Sequence, residues 1–416
     1  MSLARFDIAV AGASPAAVMA GALLARRGRR VLHLTAAYPV DPWPAPSLFL
    51  RKLLETLGGQ GCLDNAQPFQ VLSQSARITI HPTVPLAEEL SREFGGAADS
   101  VGALLTELQA TGSRLEELLW EFGGLPGDGF RARAGWRWLC LRRKLSPGGL
   151  AGPLSARLRS LPEPAATWLT DLFQGLAMQP LAALSVADGA LLWAQACHPE
   201  GVDGEELTAL LQKRFDQFHG VSADLADLTA LDHRDGTWHG SLRAGGDFQA
   251  GQLLLGDLDQ ELPGHGVSPP RQPLTPPQRL VTSSLEGQLS PLLEERVIAG
   301  GTLPMRLAFI ASSGAVTARI SASVLADEAK LRRQLDPVLP FARYSLQVLP
   351  SGRSTVRLAD PAAAAPSLFR LPLHLGNRLW CADNLGLLPQ FGNGGAPLLA
   401  WTLLHRLLPK GAPHRR

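Results

Sequence analysis

The chain has 416 residues, of which 45% are hydrophobic, and its 39 basic and 37 acidic residues leave a net charge of +2. This length predicts two domains or one large α/β unit, and the balanced charge excludes a global field that would select nucleic acid. Four cysteines stand far apart without a CxxC pair, which argues against a zinc site or a disulfide framework and favours a reducing compartment.

Several further classes of protein are disfavoured by the sequence. No uninterrupted apolar stretch reaches the ~20 residues that a membrane-spanning helix needs. The histidines form no metal-spaced cluster, and we interpret His198 and His219 as ordinary polar residues. Neither a G-x-S-x-G elbow nor a Walker loop is present, which disfavours hydrolases and NTPases. We therefore expect a cytoplasmic protein, and contact with a membrane surface stays open.

The chain begins with the pattern of a strand, a turn and a helix. The apolar run "FDIAVA" predicts a buried parallel strand over Phe6–Ala11, and it ends at Gly12, where a tight turn is needed. Small and apolar residues predict a helix over Ala16–Arg27, Gly28 ends this helix, and "RVLHL" predicts the second strand. Together these segments predict a βαβ unit.

The turn of this unit carries an altered dinucleotide-binding fingerprint. In the pattern G-x-G-x-x-G, the glycines allow the turn, the approach of backbone to a pyrophosphate and the close packing of helix on strand. The corresponding residues here are Gly12, Ser14 and Ala17, and Thr35 stands where an acidic residue would bind a ribose. Two interpretations remain open, a nucleotide-binding Rossmann unit and a structural βαβ unit that has lost its ligand.

A loop, a helix and two strands are predicted next. Residues 36–46 are rich in proline and predict a loop, after which Ser47 is expected to be the N-cap of a helix. Strands are predicted at Phe69–Leu72 and Arg77–Ile80, the second because "RITI" alternates in polarity. We expect these two strands to form a small sheet beside the first domain.

Residues 86–197 predict a largely helical insertion, because apolar residues recur at spacings of three and four. Ser113 and Glu116 predict a capping box at the start of one of its helices. Within the insertion, "FRARAGWRWLCLRRK" over residues 130–144 interleaves basic residues with tryptophan, a composition that suits anionic lipid headgroups or an acidic partner. The alternative is a partly buried helix or hairpin whose arginines extend their charged ends to solvent.

After the insertion the pattern returns to α/β. A helix is predicted over Glu205–Phe218, followed by strands in "VSADLADLTALD", "DGTWHGSL" and "FQAGQLLLG". Residues 259–280 are rich in proline and predict a long loop. The alternating segments "RLAFIAS" and "AVTARISASV" predict an antiparallel sheet, and a helix is predicted over Asp327–Leu335. No internal repeat is visible.

The C-terminal segment contains a second glycine-rich turn. A short strand "RLWCA" is followed by Asp383, by the loop "FGNGGAP" and by an apolar helix. Gly394, Gly395 and Ala396 would present backbone N–H groups at the start of this helix, which predicts a site for an anion or for the edge of a ring. If both glycine turns face one ligand, the C-terminal segment must return to the first sheet.

These three regions of the sequence together resemble a known superfamily. "DIAVAGASPAAVMAGALLARRGRRVLHL", "PEGVDGEELTALLQKRFDQFHG" with "ADLTALDHRDG", and "LWCADNLGLLPQFGNGGAPLLA" occur in the order and spacing of the FAD-dependent amine oxidase and phytoene desaturase-like superfamily. That group is similar in fold to the Rab GDP-dissociation inhibitors (GDI). The resemblance covers most of the chain, firmly at its two ends and loosely in the helical insertion.

The resemblance implies an α/β, FAD/NAD(P)-binding Rossmann-like (GDI-like) two-domain fold. The nucleotide-binding domain would be discontinuous, with residues 1–80, 200–260 and 375–416. Residues 81–199 and 261–374 would form a mixed α+β substrate or cap domain.

The resemblance also assigns residues to an FAD site. The phosphate turn would comprise Gly12, Ala13, Ser14, Pro15, Ala16 and Ala17, with Thr35 at the ribose, Leu228 at the adenine, Asp383 as the acid of the C-terminal pair, and Gly394, Gly395 and Ala396 at the flavin ring. Ser14, Thr35 and Ala382 depart from the superfamily pattern, and a proline-rich segment replaces the usual glycine- and arginine-rich one. We therefore expect FAD binding to be weak or absent.

Three functions remain open at this point. The resemblance implies an FAD-dependent oxidoreductase acting on an apolar, isoprenoid-like small molecule, for which the protein supplies position and an apolar cavity while the flavin does the redox work. The alternative is a catalytically inactive, GDI-like binding or escort protein that has lost or weakened its FAD site. A Rossmann protein that uses a nicotinamide cofactor is the third. No catalytic acid or base is identified, and the sequence does not indicate an oligomeric state.

Overall fold

A computed structural model describes most of the chain. The residues it describes are 3–36, 46–127, 129–243, 246–256, 262–263, 279–287, 290–301, 305–312, 315–322, 328–340, 342–348, 371 and 373–408. The proline-rich loop predicted over 36–46 lies mostly outside these residues, and so does the loop predicted over 259–280.

Helices and strands alternate in the first and last parts of the described chain, and helices dominate between them. The helices are α1 (Pro15–Arg26), α2 (Leu48–Leu57), α3 (Ala87–Phe94), α4 (Ala98–Phe122), α5 (Phe130–Arg142), α6 (Pro147–Ala151), α7 (Leu154–Leu158), α8 (Ala165–Ala177), α9 (Val186–Ala196), α10 (Gly204–Gln217), α11 (Glu328–Leu335), α12 (Asn384–Leu387) and α13 (Ala396–Leu407). The strands are β1 (Ala4–Ala11), β2 (Val31–Thr35), β3 (Leu63–Asn65), β4 (Phe69–Leu72), β5 (Arg77–Ile80), β6 (Glu200–Val202), β7 (Val221–Asp224), β8 (Leu228–Arg234), β9 (Thr237–Leu242), β10 (Gly246–Leu255), β11 (Arg279–Gly287), β12 (Arg296–Ala299), β13 (Met305–Ser312), β14 (Ala315–Ala322), β15 (Ala342–Val348), β16 (His374–Gly376) and β17 (Leu379–Cys381).

The first sheet is built around β1. Its strand order is β16-β17-β10-β1-β2-β7, and β8 and β9 extend it as a hairpin next to β10. β1 pairs in parallel with β10 on one side and β2 on the other, so the predicted βαβ unit is confirmed. The four residues from Ile8 to Ala11 are buried, as expected for a central strand of a parallel sheet.

The two ends of the chain meet in this sheet. β17, from the C-terminal segment, pairs in parallel with β10, which lies next to β1. The C-terminal helix α13 packs against α1. The prediction that the C-terminal segment returns to the first sheet is therefore confirmed, and so is the α/β fold class.

The second sheet has the order β15-β11-β14-β13-β12-β4-β5. β13 and β14 pair antiparallel, as their alternating sequences predicted. β4 joins this sheet through a parallel pairing with β12, and β5 pairs with β4. The expectation that these two strands form a small sheet beside the first domain is therefore wrong, because they are the edge of the seven-stranded sheet and lie apart from β1. The exact boundaries between the two domains stay a prediction.

The helical insertion is organised around α4, which packs along α9. A Cβ added to Gly112 of α4 would lie 2.1 Å from the carbonyl oxygen of Ala190, so only glycine allows the two helices to approach this closely. The capping box predicted at Ser113 is wrong, because α4 runs without a break from Ala98 to Phe122. Its buried residues continue at helical spacing through Leu108 and Leu115.

No helix in the described ranges combines the length and the apolar character needed to cross a bilayer.

Glu116 lies in the interior instead of at a helix start. Its side chain is 4% exposed, and the backbone N–H of Leu48, at the start of α2, donates a hydrogen bond to it. Burial raises the pKa of this carboxyl to about 8, against the smaller opposing effects of the Leu48 N–H and the charge of Lys52. Near neutral pH the group is therefore mostly protonated in the folded protein.

The raised pKa of Glu116 predicts a dependence of stability on pH. Because the folded state binds this proton more tightly than the unfolded chain, the contribution of Glu116 to stability is complete below pH 4.5 and declines as the pH rises to about 8. We expect Glu116→Gln to unfold like the wild type at pH 4.5 and to be more stable by roughly 3–5 kcal/mol at pH 8.5. Urea unfolding at the two pH values measures this difference.

Glu117→Gln is the matched control, because Glu117 is the next residue of α4 and is exposed. This control should follow the wild type at both pH values. An equal response of the two variants would contradict the assignment of a buried, protonated Glu116.

Candidate functional site

The candidate site lies at the carboxyl end of the central strands of the first sheet, where open α/β sheets bind their ligands. Gly12 follows β1 and has a φ of 107°, a conformation that favours glycine. Its N–H donates to the carbonyl oxygen of Leu34 at 3.0 Å, and its own carbonyl accepts from Nε2 of His33 at 2.9 Å. The tight turn predicted at Gly12 is therefore present, and hydrogen bonds to two residues of β2 hold it in place.

His33 was not identified from the sequence. It is 4% exposed, and its ring meets the ring of Phe215 edge-on, with 5.9 Å between the centroids. Burial lowers the pKa of this imidazole, outweighing the hydrogen bond to Gly12. A neutral ring with its proton on Nε2 therefore supports the turn.

The start of α1 leaves few backbone donors for a ligand. Ser14 is the N-cap, and its Oγ accepts a hydrogen bond from the N–H of Ala17 at 3.2 Å. Pro15 occupies the first helical position and has no N–H. The same Ser14 hydroxyl donates to the carbonyl oxygen of Ala382 at 2.6 Å, which joins the first turn of the chain to its C-terminal segment.

Asn384 takes the remaining donor of this turn. Its Oδ1 accepts from the N–H of Ala16 at 3.3 Å, while its Nδ2 donates to the carbonyl oxygen of Gly392 at 3.0 Å. The side chain is fully buried. Asn384 thereby links the start of α1 to the glycine-rich loop, and an external anion could reach the N–H groups of Ala16 and Ala17 only by displacing their present partners.

Thr35 is the last residue of β2, where the ribose-binding acid was expected. Its hydroxyl donates to the carbonyl oxygen of Ala223 on β7 at 3.1 Å. A carboxylate could not make this bond, because an ionised carboxylate only accepts. Thr35 therefore ties two parallel strands together at the position proposed for the ribose.

Leu228 does not belong to the strand that pairs with β2. That strand is β7, whereas Leu228 begins β8, which pairs with β9. Its side chain is buried in the main core. The assignment of Leu228 to the adenine stays a prediction.

The glycine-rich loop forms a 3₁₀ turn over Pro389–Gly395 that leads into α13. Gly394, Gly395 and Ala396 are buried, and a Cβ added to Gly395 would lie 3.1 Å from the Cβ atoms of Leu388 and Phe391. This loop is therefore packed tightly against its own neighbours.

Asp383 is buried at the start of α12. Its Oδ1 accepts from the N–H of Gly386 at 3.0 Å. The predicted acid is therefore next in sequence to Asn384, whose side chain bonds to the N–H of Ala16 at the start of α1. Ala13, which follows Gly12 in the predicted phosphate turn, is buried as well.

Gly256 was missed by the sequence analysis, although it follows the buried strand β10. Its N–H donates to the carbonyl oxygen of Ala11 at 2.6 Å, and an added Cβ would lie 2.7 Å from the Cβ of Ala17. The close packing of α1 on the sheet therefore depends on glycine at 256 and on a small residue at 17.

A small cavity adjoins the glycine-rich loop. Its volume is about 50 Å³, and its lining includes Phe391 and Asn393 of the loop, Gln195 of α9 and Arg306 of β13. Arg306 donates to the carbonyl oxygens of Gly175 and Leu176 at the end of α8. The cavity is far smaller than the roughly 300–1,000 Å³ of typical small-molecule sites.

No group of three or more metal-ligating side chains occurs in the part of the chain that the structure describes.

Comparison with known proteins supports the fold. No family model matches the sequence, and no curated protein matches it. Solved structures that share the fold include a protein from Pyrococcus furiosus (TM-score 0.61, 13% identity, 98% of each chain covered), a putrescine oxidase with two substitutions (0.54, 13%, 98% of this chain and 99% of that one) and the cyclohexylamine oxidase from Brevibacterium oxydans (0.53, 10%, 97% and 99%). At this level of identity the likeness establishes the fold alone, which this chain shares with these oxidases, as the sequence resemblance implied.

The contacts of Asn384 predict a structural role. Asn384→Ala would leave the Ala16 N–H and the Gly392 carbonyl without partners inside the protein, and each buried polar group left in this way costs about 1–3 kcal/mol. We expect a loss of roughly 2–4 kcal/mol in the free energy of unfolding. Chemical denaturation of the purified variant measures it.

Asn393→Ala is the comparison variant, because Asn393 belongs to the same loop but is only half-buried. A loss from Asn384→Ala no larger than that from Asn393→Ala would contradict the assigned link between the two ends of the chain.

Proposed function

We propose that this chain is a binding protein on an amine oxidase-like fold, with a dinucleotide site that holds FAD weakly or not at all. One observation carries the proposal. At the three helical positions where α1 would face a pyrophosphate, Pro15 lacks an N–H, and the N–H groups of Ala16 and Ala17 are bonded to Asn384 and Ser14. These residues do not fit an external pyrophosphate.

The energetic effects of these departures act in the same direction. A charge-assisted hydrogen bond from a ribose hydroxyl to an acid contributes about 1.5–3 kcal/mol, whereas a neutral one contributes about 1 kcal/mol. Thr35 is neutral and cannot provide the additional energy of a charge-assisted bond, and its hydroxyl hydrogen is already donated to the carbonyl oxygen of Ala223. Displacing Ser14 and Asn384 from the start of α1 would cost about 1 kcal/mol for each bond broken. Together these effects correspond to a loss of roughly a hundredfold or more in affinity for FAD.

A second candidate is an FAD-dependent oxidoreductase of the amine-oxidase or desaturase type that acts on an apolar, isoprenoid-like molecule. The likeness of fold across almost the whole chain favours it, and so does the intact turn at Gly12. This candidate would require Asn384 and Ser14 to release the start of α1 when the dinucleotide binds.

The absorbance spectrum of the purified protein separates the two candidates. Protein that carries flavin bands, or acquires them after incubation with FAD and removal of the excess, would support the oxidoreductase. A colourless protein that stays colourless after this treatment would support the binding protein.

We further propose that the protein is cytoplasmic, on the basis of its cysteines. All four cysteines are free thiols, and burial raises the pKa of Cys140 to about 11 and that of Cys197 to about 12. Unreactive, unpaired thiols are typical of a reducing compartment.

Restoring the superfamily residues should strengthen FAD binding. Ser14→Gly removes the hydroxyl that occupies the N–H of Ala17, and Thr35→Glu supplies an acceptor for the ribose hydroxyls. We expect the double variant to bind FAD about ten- to a hundredfold more tightly than the wild type, on the basis of ~1.4 kcal/mol per decade. Quenching of flavin fluorescence during titration measures both dissociation constants.

Ser14→Gly combined with Thr208→Glu is the matched control. It adds the same charge at an exposed position of α10, away from the candidate site. Equal affinities of the two double variants, with both proteins folded, would show that position 35 does not face a ribose.

A further inference from the structure

Helix α5 has two apolar faces, and only one of them is covered by the protein. Trp136 and Cys140 lie on the covered face and are buried, with the ring of Trp136 set edge-on to Phe122 at 5.7 Å. On the other face, Phe130 is 81% exposed, Trp138 60% and Leu141 66%.

The exposed apolar residues form one continuous stripe. Phe130, Ala134, Trp138 and Leu141 follow one another at spacings of four, four and three, so they lie along one side of the helix, and all four are exposed. A single exposed apolar residue is ordinary on a soluble protein, but a stripe of large side chains along one helix marks an interaction surface.

Basic residues flank the stripe on both sides. Arg131 and Arg142 lie along one edge and Arg133 and Arg137 along the other, and all four are exposed. The segment from residue 130 to residue 144 contains no acidic residue. The guanidinium of Arg142 lies 5.5 Å from the centroid of the Trp138 ring, so one arginine already contacts the stripe.

Among the described residues, the acidic groups that act on this segment belong to α4. Glu121 forms an ion pair with Arg143, and the charge of Glu117 also acts on that arginine. Arg143 is therefore partly neutralised. The arginines that border the stripe have no ion pair with a carboxylate within the described ranges.

We propose that α5 docks the protein on the surface of an anionic lipid bilayer. Phe130, Trp138 and Leu141 would enter the boundary between headgroups and acyl chains, and the flanking arginines would bind lipid phosphates. This occupant matches both features of the surface, because a bilayer offers apolar depth beneath a layer of negative charge. A nucleic acid or an acidic protein would use the arginines and leave the apolar stripe without a role.

Sedimentation of the full chain with vesicles tests the proposal. The vesicles contain about one-third phosphatidylserine in phosphatidylcholine, with pure phosphatidylcholine for comparison, at low and at high salt. The protein should sediment with the anionic vesicles at low salt, and both high salt and neutral lipid should reduce its binding. Failure of the wild type to bind anionic vesicles at low salt would overturn the proposal.

Two sets of variants separate the contributions of charge and of the apolar stripe. Replacing Arg131, Arg137 and Arg142 with alanine should weaken binding about a hundredfold, since each basic residue near the surface contributes ~1 kcal/mol. The matched control replaces Arg26, Arg27 and Lys213 with alanine. These residues are exposed at the end of α1 and on α10, and their replacement removes the same charge. This control should bind like the wild type.

The apolar variant carries Phe130→Ser, Trp138→Ser and Leu141→Ser, and Val84→Ser with Leu292→Ser is its control at other exposed positions. The apolar variant should lose at least tenfold in binding, and the control should not. If the arginine variant loses binding while the apolar variant does not, the attraction is electrostatic alone, the apolar stripe does not enter the bilayer, and the proposal fails. Equal thermal melting of all variants excludes unfolding as the cause.

Discussion

The hydrogen-bonding groups at the start of α1 set the constraint on which the arrangement of this protein depends. A helix that begins against the end of a buried strand presents N–H groups that must find partners. In a dinucleotide-binding protein a phosphate can serve as that partner. Here the chain supplies the partners itself, with Ser14 from the turn and Asn384 from the C-terminal segment.

This internal solution has consequences for the rest of the fold. Because Asn384 and Ala382 both bond to the turn that follows β1, the last strand and the last helix are held against the first sheet. The glycine-rich loop is fixed by the same residue, through the carbonyl of Gly392. This network uses N–H groups that could otherwise contribute to binding a ligand. The residues that occupy these N–H groups therefore include Asn384, which lies outside the fingerprint.

Helix α5 obeys a different constraint. A helix that packs on a protein normally places polar residues on its outer face, yet α5 carries aromatic and aliphatic side chains there between two rows of arginines. The buried face is satisfied by Trp136 and Cys140, so the outer stripe adds nothing to the core. Its retention on the surface is more readily understood if α5 contacts a layer that is apolar beneath and negatively charged above. This role is independent of whether the first domain binds a dinucleotide.

The sequence by itself determined the parts of the structure that depend on local pattern. The apolar run before Gly12 predicted β1, the alternating segments predicted β13 and β14, and the fingerprint located the start of α1. The capping box at Ser113 failed because a local motif was outweighed by an apolar stripe that continues along α4 and is buried by tertiary packing.

Only the tertiary structure decided which groups meet across long stretches of sequence. The bonds of Ala16 to Asn384 and of Ser14 to Ala382 join residues 368 positions apart, and no spacing rule relates them. The pairing of β4 with β12 and the close approach of Gly256 to Ala17 are of the same kind. Periodicity and turn chemistry act over a few residues, whereas the partners of a buried polar group are set by the packing of whole elements. The sequence therefore located the candidate site at the turn after β1, and only the fold showed which groups bond to the N–H groups at the start of α1.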